Sequence, residues 1–368
     1  MFEPTTALLP TQLAAPPDEA RLRSARGSAA LDQWRGLALL LVLISHGFFF
    51  TNRVNGAGRI GVNLFFFISG ILVFRSLAKS AEGPWERTTS FCWRRLRRLY
   101  PALLAYLAVI VAAGYFLQRI PGQPPHSDFA SYLRAWPWAM IYLTNYHGGG
   151  PMAMGQLWSL GCEMQFYIVA PLIFLLGGSG LRRRLAVFAV LTAALMGMGI
   201  IYPLRRTQLD VAKYHFEIAV WPMMLGFSCE FAKRWFLKLP LNIVKTIFAL
   251  GWLSLAAAMA LMAFGMETKL LVIGVGSILL LPCLLGYLFG LPLPGKPGAF
   301  LRWCGERTYS MYLWQQPFTI CDFLPNPFHP LGAALALPIG AVWFRFFEKP
   351  FLSANRSHRL SASETPAP

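Results

Sequence analysis

Two ionisable residues stand in a stretch otherwise suited to lipid. Leu31 to Phe50 reads LDQWRGLALLLVLISHGFFF, long and apolar enough to cross a bilayer, yet it carries Arg35 and His46. Eleven residues of helix make about three turns, so the two side chains share a face, about 16 Å apart along the axis. An ionised group at the centre of a membrane helix costs about 2.5 to 3.5 kcal/mol even on the lenient insertion scale, which makes such residues the first functional candidates. The planar fork of Arg35 suits phosphate. The imidazole of His46 suits proton transfer near neutral pH. The pair matches a donor whose phosphate-bearing head stays at the cytoplasmic surface while its reactive end lies roughly 15 to 20 Å away. The competing readings are a snorkelling arginine and a structural histidine.

Other polar residues recur in apolar surroundings. GRIGVNLFFFISGILVFRSL contributes Asn63, Ser69 and Gly70, of which the last two also suit close helix packing. QLWSLGCEMQFYIVAPL places Ser159, Glu163 and Tyr167 at i, i+4 and i+8, one polar stripe on a helix. ERTYSMYLWQQPF offers Tyr309, Ser310, Tyr312, Gln315 and Gln316; tyrosines here also suit interfacial anchoring. The run CWRRLRRLYP, with Arg94, Arg95, Arg97 and Arg98, is first a topology signal and second a means of attracting an anionic cosubstrate. The six cysteines have neither paired nor metal-like spacing, so no metal site is expected.

The elements that must position these residues are membrane helices. Of 368 residues, 56% are hydrophobic and only 13% charged, about half the charged share of a soluble domain. Apolar runs recur at 31–50, 59–78, 100–118, 132–147, 160–178, 185–202, 216–233, 242–264, 270–290, 308–323 and 331–347. The fold class is therefore an all-α polytopic integral membrane protein. The net charge of +17 lies between the apolar runs, where it sets topology and does not build a nucleic-acid face. The basic loop after the second run and the triplet Arg182, Arg183, Arg184 are both expected in the cytoplasm. That parity holds only if one intervening run fails to cross. The run at 132–147 is short, contains Pro137 and leads into HGGGPMAMG, so 132–155 is expected to be a re-entrant or irregular segment. About ten crossings remain, with both termini cytoplasmic. The loop at 203–214 breaks the pattern, since it would put Arg205, Arg206 and Lys213 on the outer side. Residues 1–30 and 352–368 are expected to be disordered cytoplasmic appendages around a transmembrane domain at 31–351.

In order along the chain, LDQWRGLALLLVLISH, GVNLFFFISGILV, RRLRRLYPALL, LWSLGCEMQFY, YSMYLWQQP and FFEKPF resemble the membrane acyltransferase 3 family, over nearly all of residues 31 to 351. The resemblance implies an integral enzyme of the bacterial inner membrane. It would take an acyl group, commonly acetyl, from acyl-CoA and place it on a hydroxyl of a glycan or other extracytoplasmic acceptor. Arg35 and His46 occupy the family's catalytic positions, Ser69 matches its second-helix serine, and Glu163 matches the glutamate of its tryptophan-serine-leucine motif. Asn63 stands where aspartate is usual, and Gln315 where related sequences carry histidine.

On this reading Arg35 holds the phosphates or pantetheine arm of acyl-CoA, helped by Arg94, Arg95 and Arg98, and His46 deprotonates the acceptor. Asn63, Ser69 and Tyr167 are candidate oxyanion donors, and Ser159, Tyr309 and Gln315 candidate substrate contacts. For Gln315, packing beside Tyr312 and Pro317 is favoured over a place in a proton relay. Direct transfer is favoured over an acyl-His46 or acyl-Ser69 intermediate, which stays open. With no hydrolase-like soluble domain in the chain, a second transfer step is expected to use a periplasmic partner protein. The competing class is a transporter or flippase of a glycan or acylated intermediate, for which the repeats and mirrored helix breaks common in transporters are missing.

Overall fold

A lipid core offers the backbone no water, so apolar runs near 20 residues close their hydrogen bonds internally as helices. The computed structural model describes residues 17–48, 51, 53–79, 83–119, 129–147, 150–178, 180–205, 211–319 and 328–352. The helices are α1 (Pro17–Gly47), α2 (Asn55–Ala78), α3 (Pro84–Leu117), α4 (Phe129–Met140), α5 (Leu157–Leu176), α6 (Leu181–Arg205), α7 (Phe216–Ala219), α8 (Trp221–Phe236), α9 (Leu241–Ala263), α10 (Lys269–Ile278), α11 (Leu280–Phe289), α12 (Gly295–Glu306), α13 (Thr308–Thr319) and α14 (His329–Trp343). No strand occurs among the described residues. Eight stretches are long and apolar enough to cross a membrane: α1, α2, α3, α5, α6, α9, α10 with α11, and α14 with the turns after it. The expected runs at 216–233 and 308–323 correspond to α8 and α13, which are shorter and packed inside the bundle.

Two elements differ from the sequence expectation, and a third, the irregular segment, gains detail. Helix α1 begins at Pro17, so residues 17–30, expected to be disordered, are helical; Gly27 and Ala30 are buried, Gly27 against Tyr287 of α11. Residues 1–16 and 353–368 lie outside the described residues. The basic stretch before Leu99, expected as a loop, is the first half of α3, with Pro84 at its first turn. The 132–155 segment divides into α4, a string of turns, and a single 3-10 turn at Met152–Met154. At 12 residues, about 18 Å, α4 is too short to cross the hydrocarbon core.

Helix α2 is the centre of the bundle, packed against α1, α8, α10 and α5. Phe74 of α2 meets Phe174, Phe188, Phe227 and Phe231 edge-on, with centroids 4.9 to 6.3 Å apart. The α2–α8 crossing depends on two glycines. A methyl on Gly70 would run into the carbonyl of Met223, and one on Gly226 into the carbonyl of Phe67. Small residues are what let two backbones approach this closely in lipid. At the periphery α6, α9 and α14 present apolar side chains outward, as lipid-facing helices do.

A buried ion pair ties the ends of the chain's second half to α3. Arg98 donates to Glu348 Oε1 at 3.0 Å from Nη2, and Ser310 Oγ donates to Glu348 Oε2 at 2.9 Å. The Glu348 carboxylate is wholly buried and the Arg98 side chain is 23% exposed. Removing one member of such a pair strands the other charge.

Four variants of the detergent-solubilised protein test this packing, read by its unfolding temperature. Gly70→Ala lowers it by several degrees, because the α8 backbone has nowhere to move. Gly197→Ala, which meets open space on α6, leaves it unchanged or raises it by the equivalent of about 0.5 to 1 kcal/mol. Glu348→Ala costs about 3 to 5 kcal/mol and lowers the yield of folded protein, and Glu348→Gln costs less, because the amide still accepts a bond.

Candidate active site

Because α1 is one unbroken helix from Pro17 to Gly47, Arg35 and His46 keep the separation their spacing implies. They lie in two different polar layers of the bundle. His46 borders a cavity of about 670 Å³ whose walls include Asn63, Asn145, Trp158, Tyr214, Tyr312 and Gln316. Arg35 is absent from those walls and lies within electrostatic reach of Asp32, Arg98, Glu163 and Tyr167.

In the cavity layer, His46 Nδ1 is hydrogen-bonded to Gln315 Oε1. An amide oxygen accepts, so Nδ1 carries the proton and Nε2 keeps its lone pair. The expectation that Gln315 merely packs beside Tyr312 and Pro317 is therefore corrected: its amide oxygen sets the tautomer of His46. Gln315 is fully buried, and its Nε2 finds no partner among the described residues. Successive residues on a helix point about 100° apart, which sends Gln315 toward α1 and Gln316 toward the irregular segment.

Gln316 accepts the backbone N–H of Gln156 at 2.7 Å. Gln156 Nε2 donates to Tyr106 OH at 2.8 Å and to the Leu313 carbonyl at 2.7 Å, and Tyr106 OH donates to the Ala153 carbonyl at 2.5 Å. On the other side of the segment, Gln165 Nε2 donates to the Tyr142 carbonyl at 2.9 Å and to Asn145 Oδ1 at 2.8 Å. Tyr142 itself takes a left-handed conformation at φ 58°, uncommon for a residue with a side chain. The chain thus turns back into the bundle, and side chains of α3, α5 and α13 satisfy its backbone. At the cavity rim Tyr146 OH donates to Glu217 Oε2 at 2.8 Å; burial first, and that carboxylate second, push its pKa up to about 12, so it remains a donor at neutral pH.

In the second layer, Ser69 Oγ donates to Glu163 Oε1 at 2.7 Å, and Tyr167 OH donates to the same oxygen. The polar stripe of α5 bridges the layers. Ser159 shares a 2.8 Å bond with Tyr312 OH on the cavity side, while Glu163 and Tyr167 belong with Arg35.

The sequence candidates therefore separate. His46 and Asn63 line the cavity, Ser159 supports a wall residue, and Gln315 supports His46. Ser69 and Tyr167, expected as oxyanion donors, spend their hydroxyl protons on Glu163. Tyr309 donates to the Leu99 carbonyl at 2.8 Å and does not border the cavity, so its part is to join α13 to α3. Of the arginines, Arg98 is committed to Glu348, and Arg95 lies over the Tyr167 ring, 5.0 Å from its centroid. Arg94 is half-buried on the same helix.

Sequence reasoning missed Gln156, Tyr106, Trp158 and Arg59. The first two carry no motif, since their work is to satisfy a distant backbone. Arg59 was legible as a cation in an apolar run and went unread. Its guanidinium lies over the Trp158 ring, 5.9 Å from the centroid, and it lines the cavity one turn from Asn63.

Comparison with known proteins adds to this geometry. The acyltransferase 3 family model, described as an acyltransferase domain, matches residues 28–344. The candidate peptidoglycan O-acetyltransferase YrhL of Bacillus subtilis is 28% identical over 82% of this chain and 50% of its own length. The peptidoglycan O-acetyltransferase OatA of Listeria monocytogenes is 26% identical over 87% of this chain and 55% of its own. A candidate membrane-bound transacylase of Komagataeibacter xylinus, BcsY, is 29% identical over 78% and 72%. The chain thus spans about half the length of the Bacillus and Listeria proteins. No solved structure matches it. With the family match running across all but the chain ends, and its helices apolar enough to lie in a bilayer, this chain belongs to the acyltransferase 3 family as a membrane-embedded acyltransferase domain.

Proposed function

We propose that the chain transfers an acyl group, acetyl in the simplest case, from acyl-CoA to a hydroxyl of a glycan or other extracytoplasmic acceptor. The observation that carries this reading is the His46–Gln315 pair, which leaves Nε2 as the basic nitrogen of a ring bordering a substrate-sized cavity. Relatives named as peptidoglycan O-acetyltransferases support the acetyl group and the glycan.

The acceptor hydroxyl occupies the cavity, and its oxygen attacks the thioester carbonyl while His46 Nε2 takes its proton. The tetrahedral oxyanion needs donors that are already in place, and the Asn63 amide is the one sequence candidate for that work on the cavity wall. Collapse breaks the carbon–sulfur bond. His46 returns the proton to the departing thiolate, leaving the acyl ester and the free thiol of CoA. Arg35, about 16 Å along α1, holds the anionic part of the donor with Arg94 and Arg95. Glu163 is a positioning residue that fixes Ser69 and Tyr167 beside Arg35.

The placement of basic residues supports an orientation. Arg95, Arg97 and Arg98 in the first half of α3, Arg182 to Arg184 at the start of α6, and Lys233 and Arg234 at the end of α8 lie toward the Arg35 side of the bundle. By the positive-inside bias that side is cytoplasmic, the cavity lies toward the far face of the inner membrane, and both termini are cytoplasmic.

Several outcomes test this. His46→Ala is expected to lower turnover about a hundredfold or more without loss of membrane insertion; activity close to the parent overturns the assignment. Arg35→Lys keeps the charge but loses the fork, and weaker acyl-CoA binding by the folded protein is expected in a titration. Gln315→Glu sets a carboxylate against Nδ1–H and so favours imidazolium; the acidic limb of the pH–rate profile moves to higher pH, because the base is freed later in the titration. Gln315→Leu, which removes the acceptor on Nδ1 and leaves the tautomer unset, lowers turnover and does not move that limb to higher pH. A periplasm-active reporter fused after Leu185 is expected to be silent, and strong signal there reverses the topology.

A further inference from the structure

The cavity carries positive charge on the face where membrane proteins ordinarily have least of it. Lys213 lies in the 203–214 loop, the one basic stretch that the topology assigns to the outer side, and it lines the cavity. Lys269, at the start of α10, lines it too, and so does Arg59. Among the described lining residues these three cations face a single carboxylate, Glu267. A positive-inside bias alone would have removed them. Their position is explained if the cavity has to attract something negative.

Arg59 is the cation placed to read that charge. It stands on α2, half-buried, where an ionised side chain is costly to keep. No salt bridge among the described residues involves it, and the ionisable groups that act on it are Tyr214 and Cys162, neither of them an acid at neutral pH. The Trp158 face carries its guanidinium, and Trp158 is itself held by Tyr214, with centroids 4.7 Å apart, and by Phe66, at 6.0 Å. This cation–π contact restrains the guanidinium from one side and leaves its N–H donors for paired bonds to an oxyanion. One turn along α2, Asn63 adds an amide and no opposing charge. The remaining walls, with Tyr146, Tyr202, Trp221 and Tyr312, supply apolar faces and hydroxyls of the kind that suit a polyol.

We propose that Arg59, stacked on Trp158, recognises an oxyanion on the acceptor, so that the preferred acceptor is an anionic glycan bearing carboxylate or phosphate beside the hydroxyl presented to His46. This rests on the cavity being the acceptor site of the transfer reaction described above. Arg59 acts in specificity: it holds the acceptor by a group that takes no part in the chemistry.

The test separates binding from transfer. The full chain in detergent is titrated, by its tryptophan fluorescence, with a glucuronate tetrasaccharide, with the same tetrasaccharide after carboxyl reduction, and with glucose 1-phosphate. Expected is binding of at least one anionic probe about tenfold or more tighter than the neutral one, as a charge-assisted bond pair provides. Whichever anion binds better identifies carboxylate or phosphate. Arg59→Gln abolishes the difference and leaves affinity for the neutral sugar unchanged, while Arg59→Lys, with charge but no fork, retains part of it. Unfolding temperatures of both variants confirm that they are folded. Equal affinity for neutral and anionic sugars, no saturable binding of either anion, or a preference that survives Arg59→Gln overturns the proposal. Acetyl transfer from acetyl-CoA to the same sugars is measured separately: its absence in a chain that still binds the anion by Arg59 counts against the transfer reading and leaves the anion site standing.

Discussion

A chain that leaves helical conformation at membrane depth must find partners for its freed N–H and C=O groups within the protein, because lipid supplies none. The turns between α4 and α5 meet that requirement through three side chains, Tyr106, Gln165 and Gln316, with Gln156 and Asn145 holding Tyr106 and Gln165 in place. Everything at the cavity follows from it. The irregular segment forms one wall, the residues that pin it come from α3, α5 and α13, and the same short α13 that supplies Gln316 also supplies Gln315 to His46. A helix there would have filled the space with its own side chains. The hydrogen-bond cost of an irregular wall is offset locally, and a cavity is what remains.

The two polar layers divide the work in a way that suits transfer across a barrier. Arg35, Glu163, Ser69 and Tyr167 sit at one level, His46, Gln315, Asn63 and Arg59 at another. They are joined by helices whose remaining surface is packed phenylalanine and leucine. On the proposed reading a long flexible donor covers that span, with its anionic head among arginines and its reactive end near the histidine. Arg98 shows how such a layer is kept from collapsing. Its pairing with the buried Glu348 consumes one cation for architecture, binding α3 to the end of α14, and Arg35 is left facing it without being neutralised by the same carboxylate.

Two amides and a cation gather around the cavity. Asn63 lines it, Gln315 supports His46 beside it, and Arg59 adds a permanent cation one turn from Asn63. An amide paired to His46 Nδ1 orients the ring without titrating, so proton traffic is confined to Nε2. Asn63 sets no negative charge beside Arg59, so the cavity is more positive than an aspartate at residue 63 would make it.

Composition, apolar run length and the placement of arginines were enough to establish a polytopic helical protein, the irregular 132–155 segment and the shared face of Arg35 and His46, because each depends only on local chain geometry and on the cost of polar groups in lipid. The α5 stripe was legible for the same reason, since i, i+4 spacing is a property of one helix. Which stripe residue meets which partner was not. Ser69 and Tyr167 read as donors to a transition state until Glu163 was found to hold both protons, and Gln315 read as packing until α13 was set against α1. The helical nature of residues 17–30 escaped for a related reason: a polar, proline-bearing stretch gives no apolar signal, and its helix is held by packing against α11. Pairings between residues 94 or 269 positions apart are decided by which helices touch and at what height, and no spacing in a single strand of sequence encodes that height. Only the packed bundle sets it, through contacts such as the glycine crossing of α2 and α8 that fix how far each helix slides along the next.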